Sequence, residues 1–282
     1  MGFFVIGNRL RSSRLYYPDS DSTVKCNEQN TMIPAKTDPQ VSCPIVCGEC
    51  IRATGFFLKD HSQTFLVTAR HNLLPVKAAE TDGDQLSYHT RNLLPTVDIY
   101  LRNGAAFTVK RVTLSEKEGV LIGTDIDLIG VPIDIDPETY GYIPWSLTDI
   151  TPPDATPTTL DVIGYPSQAF PDGTEYNTET HAEEITDPYV LNLSTDFQTD
   201  SRAPTQTGFL DISIDTGQKQ HHPDYEGYSG CPVVGDGLVG IYCTNCLVTT
   251  VNTDTDEQTE RTGIAYWHAD TLKRLFNTKH RS

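Results

Sequence analysis

The chain has 282 residues, and its 38 acidic residues outnumber 21 basic ones to give a net charge of −17. Such a balance argues against nucleic acid or an anionic membrane as partner, because both carry the same sign of charge. Twenty glycines and eighteen prolines among many Thr, Val and Ile point to a mostly β protein, its length suffices for a real core, and apolar runs far short of ~20 residues argue against a spanning helix.

The opening MGFFVIGNRL holds only a short apolar patch with no basic residue before it, unlike a secretion signal, so a cytoplasmic location is expected. Residues 1–46 read as an N-terminal arm, and Cys26, Cys43, Cys47 and Cys50 cluster near the N-terminus. Two strands, 51–59 and 64–69, follow around the turn DHSQ, and further strands are expected at 97–102, 107–112 and 126–133. These belong to a first barrel over 47–146. A Pro- and Thr-rich linker covers 147–158. Strands resume at 160–166, 189–194, 208–214, 238–243, 247–252 and 263–267, within a second barrel over 159–268. A terminal helix lies in 269–282, with its pattern clearest over 269–277. The fold class is therefore all-β, two antiparallel barrels with a C-terminal α-helix.

Seven cysteines leave at least one unpaired. Cys47/Cys50 and Cys243/Cys246 each form Cys-x-x-Cys, a spacing that suits a tetrahedral zinc ion, but the pairs lie far apart in sequence. Inert buried thiols are the expectation, with no metal and no cofactor.

Acyl transfer by a serine needs a base near the hydroxyl, an anion to orient that base, and N–H donors facing the oxyanion. His71, at the strand end FLVTARHNLL, is the candidate base, whereas His221 and His222 precede the serine in a loop and His268 begins the helix. The anion should stand at a strand entrance, where TDIDLIGVPID offers Asp125 and Asp127. Choosing Asp127 leaves Asp125 in solvent, with Ile129, Val131 and Ile133 buried beyond it; choosing Asp125 would bury an unpaired carboxylate. Asp127 is preferred and Asp125 is the reserve. Ser229, in YEGYSGCPVV, is the candidate nucleophile, with the N–H groups of Gly227 and Ser229 as oxyanion donors. Pro232 opens the next strand.

Over about 51–276 these pieces resemble the trypsin/chymotrypsin-like serine proteases, in particular their HtrA-like microbial branch without a PDZ domain. TGFFL…FLVTARH is similar to the family's Gly-rich strand and Thr-Ala-x-His; DLIGVPI, DVIGYP, GYSGCPVV…LVGIYC and GIAYWHADTLKRLF are similar to its later motifs, in the same order. The resemblance implies a Ser-His-Asp endopeptidase with six-stranded chymotrypsin-like barrels, acting through Ser229, His71 and Asp127 on a protein or peptide substrate. It also implies a substrate-binding wall at Tyr242, Cys243, Thr244 and Asn245. Pro223 falls where an Asp would select basic residues, with Asp224 beside it. Tyr228 replaces the Asp that receives a freed N-terminus in secreted trypsins, so activation by that route is not expected. Narrow specificity, or an activating partner protein docked on the arm, is expected instead. A catalytically inactive peptide-binding module is the alternative, and an esterase using the same triad is a third reading that no pocket-forming pattern favours.

Overall fold

The structure is a computed structural model. It describes residues 39–48, 51–61, 63–74, 76–78, 88–90, 93–104, 106–114, 117–123, 126–152, 159–166, 169–170, 185, 188–194, 205–210, 227–251 and 258–277.

The first assembly contains β1 (Cys43–Cys47), β2 (Ile51–Asp60), β3 (Gln63–Ala69), the single turn α1 (Arg70–Leu73), and a small hairpin of β4 (Val76–Ala78) with β5 (Tyr88–Thr90). It continues through β6 (Thr96–Asn103), β7 (Ala106–Thr113), β8 (Leu121–Ile122), β9 (Leu128–Ile133) and β10 (Trp145–Ser146). Its main sheet runs in the order β7-β6-β1-β2-β3-β9-β8, with β10 added parallel to β2. β2 changes partner halfway, pairing β1 through Ile51–Gly55 and β3 through Phe56–Asp60. One long strand thereby joins β1, β6 and β7 to β3, β9 and β8.

The second assembly is formed by β11 (Thr159–Gly164), β12 (Tyr189–Ser194), β13 (Thr205–Leu210), β14 (Pro232–Val234), β15 (Leu238–Val251) and β16 (Gln258–His268). These six close a barrel in the order β11-β12-β13-β16-β15-β14. The helix α2 (Asp270–Asn277) ends the described chain. The chain is thus all-β in two antiparallel assemblies with a C-terminal helix, as its residue pattern suggests.

Several details differ from that pattern. β1 lies inside the segment read as an arm, where Pro44 and two cysteines in CPIVC disguise a fully buried strand held between β2 and β6. The first sheet has eight strands rather than six, and among the described residues its end strands β7 and β8 do not pair. β13 begins three residues before the expected start, and the two segments 238–243 and 247–252 are one strand, β15, with a bulge between Tyr242 and Thr244.

Period-two alternation sorts side chains into separate cores. Phe57 and Leu66 face a core inside the first sheet with Ile129, Val131 and Ile133 of β9. The opposite side chains, Phe56, Leu58, Phe65 and Val67, meet Ile163, Leu238 and Ile241 of the barrel and Leu272, Leu275 and Phe276 of α2. Leu272, Leu275 and Phe276 fall on one helical stripe, and the Phe276 ring stands edge-on to Phe65 with centroids 4.8 Å apart. α2 therefore fastens the second barrel to the first sheet. Among the described residues no helix is long and apolar enough to cross a membrane.

Candidate active site

β3 ends at Ala69, still extended, and α1 turns immediately away from the sheet. The turn is anchored to the residue before β9: Arg70 N–H donates to the Asp127 carbonyl at 3.0 Å. His71 then meets the Asp127 side chain twice. Its backbone N–H donates to Oδ1 at 3.0 Å, and its ring Nδ1 lies 2.5 Å from Oδ2. An ionised carboxylate only accepts, so the proton sits on Nδ1 and the neutral ring keeps Nε2 as its basic nitrogen. The Arg70 guanidinium adds a positive charge, with Nε 3.9 Å from Oδ1, while its Nη1 donates to the Gly123 carbonyl at 2.6 Å. Ile129, Val131 and Ile133 are buried beyond Asp127, and so are Leu128, Gly130 and Pro132. Both faces of β9 are covered, so the alternation used to choose between the two carboxylates does not separate a wet face from a dry one. Asp125, the reserve, lies outside the described residues.

Ser229 sits at the second position of a four-residue turn closed by Cys231 N–H to the Tyr228 carbonyl at 2.9 Å. Gly230, at the third position, has φ +91°, as a type II turn demands. A β-carbon there would also come within 2.2 Å of Thr68 Oγ1 and 2.6 Å of Ala69 N. The serine turn therefore lies directly on β3, the strand that leads to His71. Gly227 has φ +95°, and among the described residues neither its N–H nor that of Ser229 has a hydrogen-bond partner. Gly230 N–H donates to the Tyr242 carbonyl at 3.0 Å, which holds the turn against β15.

Cys243 joins the two halves. Ser229 Oγ donates to its carbonyl at 3.4 Å, and its thiol donates to Asp127 Oδ2 at 3.6 Å. Burial, and then the Asp127 charge, pushes this thiol up to about 12, so it stays protonated and can only donate. Among the described residues no hydrogen bond joins Ser229 Oγ to His71; the hydroxyl is turned toward Cys243 instead. Burial also raises the Cys231 thiol well above its ordinary range and makes it a packing group.

Of the expected substrate wall, Thr244 is exposed and Cys243 half-buried, but the Tyr242 side chain points into the barrel core against Tyr228. Asn245 lies on β15, where only its backbone pairing with Ile264 is described. Pro223, Asp224, His221 and His222 lie outside the described residues, as do Cys26 and Cys50. Cys43 and Cys47 are buried in β1 as reduced thiols. Among the described residues no group of three or more His, Cys, Asp or Glu converges as a metal site. His268 caps α2, its Nδ1 accepting from Asp270 N–H at 3.1 Å.

Three buried polar residues have a part here that the motifs do not reveal: Thr54, Thr68 and Asn72 link β2, β3 and α1 to the serine turn. Thr54 and Thr68 open the TGFFL and Thr-Ala-x-His stretches and Asn72 follows His71, which marks their positions but not their bonds.

No protein-family model and no curated protein matches this sequence. Among solved structures, a mutant of human heparin-binding protein is 14% identical, with 85% of this chain and 94% of that one covered at a TM-score of 0.44. A serine endoprotease from Yersinia pestis is also 14% identical, over 88% of this chain and 65% of that one, at a TM-score of 0.39. A chain from work on the Sesbania mosaic virus VPg protein gives 14%, 82% and 88%, again at 0.39. With TM-scores below 0.5, the fold class rests on the strand pairing of this chain and not on these likenesses.

Proposed function

We propose that the protein is a serine endopeptidase of chymotrypsin-like type, acting on protein or peptide substrates through an acyl-enzyme. In this reading Ser229 Oγ attacks the scissile carbonyl carbon and passes its proton to His71 Nε2. Asp127 holds the ring and balances the imidazolium, and the N–H groups of Gly227 and Ser229 receive the oxyanion. His71 then protonates the departing amine, and water attacks the acyl group by the same route in reverse.

The observation that carries the reading is the two-point contact between His71 and the Asp127 carboxylate, made within one residue, Cys243, of a glycine-flanked serine. A base whose tautomer is set by one carboxylate oxygen, while the other holds its backbone N–H, suits general-base catalysis. The hydroxyl's bond to Cys243 is long at 3.4 Å, and rotation about its Cα–Cβ bond would release it. Catalytic hydrogen bonds commonly tighten only once substrate is bound. That same bond also favours a second reading, a peptide-binding module whose serine is held away from the histidine.

A fluorophosphonate probe separates the two. The intact chain should become labelled at Ser229, and Ser229→Ala and His71→Ala should abolish the label. Absence of Ser229-dependent labelling in folded protein, across several candidate activating partners, would leave the binding module.

A further inference from the structure

The serine turn is gripped from the first sheet by a chain of side-chain hydrogen bonds whose directions are fixed. The Asn72 amide donates once to the Ser229 carbonyl at 2.9 Å and once to Thr68 Oγ1 at 3.0 Å. A carbonyl only accepts, so Nδ2 and not Oδ1 must face Ser229. Thr68 donates onward to the Thr54 carbonyl at 2.8 Å. Thr54 Oγ1 donates to the Gly227 carbonyl at 2.8 Å and accepts from Tyr165 N–H at 2.8 Å. Thr54, Thr68 and Asn72 are all buried, so water does not compete for these bonds.

Two carbonyls of the turn are thereby held, those of Gly227 and Ser229. Their peptides flank the Tyr228–Ser229 peptide, whose own carbonyl accepts from Cys231 N–H. In a trans peptide the N–H points opposite to the C=O, so fixing the carbonyl and both neighbouring peptide planes fixes the direction of the Ser229 N–H. We propose that Asn72, together with Thr54, is a positioning residue that sets the serine turn and aims this N–H. The inference rests on the peptidase reading for its chemical consequence, because Asn72 sits on the same turn as His71. One helical turn would then register base and nucleophile against each other.

The test uses the full chain and two readouts. Asn72→Leu and Thr54→Val remove the donors at nearly constant volume, whereas Thr54→Ser keeps the hydroxyl. Amide hydrogen exchange in the segment holding Gly230 and Cys231 should quicken about tenfold or more in both loss variants, with β9 and β16 keeping wild-type protection. The rate of fluorophosphonate labelling, and kcat on any peptide substrate found, should fall about 10- to 100-fold with KM unchanged. Thr54→Ser should recover most of both effects. Unchanged protection of the turn in both loss variants would overturn the proposal, as would a loss of protection spread evenly over the second barrel, the mark of mere destabilisation. If the wild type does not label but the exchange signature appears, the peptidase reading falls and the positioning of the turn stands.

Discussion

Asp127 carries the sharpest residue-scale prediction. Its two oxygens divide the work, one taking the His71 backbone N–H and the other the ring. Asp127→Asn would set an amide against Nδ1 and favour the tautomer with its proton on Nε2, where the base is needed. On the peptidase reading, single-turnover acylation at neutral pH should fall by about four orders of magnitude, while circular dichroism stays native. Asp125→Asn should change the rate little, and the reverse ranking would move the carboxylate role to Asp125. His71 and Ser229 stand out as candidates because a strand end and a glycine turn flank them in the sequence. Asn72 and Thr54 do not. Their partners at the serine turn are 157 and 173 residues away in the chain, and an asparagine or threonine in a β-rich sequence has many ordinary uses.

At the scale of elements, the junction of β16 and α2 depends on a neutral histidine. His268 Nδ1 accepts the Asp270 N–H, so the ring must carry its proton on Nε2, and burial lowers its affinity for a second proton below the ordinary value near 6.5. Asp270 opposes that shift and Lys273 adds to it. The unfolded chain therefore binds the extra proton more readily than the native one. Stability from this group is complete above about pH 6.5 and is lost as pH falls through the lower native value. His268→Asn keeps an acceptor for Asp270 N–H but cannot titrate. Urea unfolding at pH 7 and pH 5 should show a smaller difference for this variant than for the wild type, and equal differences would refute the account. β2, β3, β6 and β11 could be drawn from the sequence to within a few residues, because β-branched and aromatic runs bounded by turn residues mark them. β1 could not, because CPIVC sets Pro44 and two cysteines where β-branched or aromatic residues would mark a strand. β15 was divided in two because the bulge at Tyr242/Thr244 breaks the alternation without breaking the strand.

Across the whole molecule, the described residues join the two assemblies through two apolar clusters and a polar chain. The smaller cluster sets Val46, Tyr100 and Phe107 against Tyr165 and Phe170. The larger runs from Phe56 and Phe65 to Ile241 and Phe276, and the polar chain is Thr54–Asn72 against the serine turn. The close fit of Gly230 on Thr68 and Ala69 lies between them. If the site is catalytic, neither half holds a complete set of groups: His71 and Asp127 come from one, Ser229 and both oxyanion donors from the other. Severing the chain between Pro152 and Thr159 should thus yield two fragments, each silent toward a fluorophosphonate. Mixed in equal amounts, they should regain Ser229 labelling in step with heterodimer formation seen by sedimentation. Labelling of the C-terminal fragment alone would show that the serine needs nothing from its neighbour. Such a molecule behaves as a two-key lock cut from a single gene, and whatever pries its halves apart, or presses them together, governs the hydroxyl without touching it.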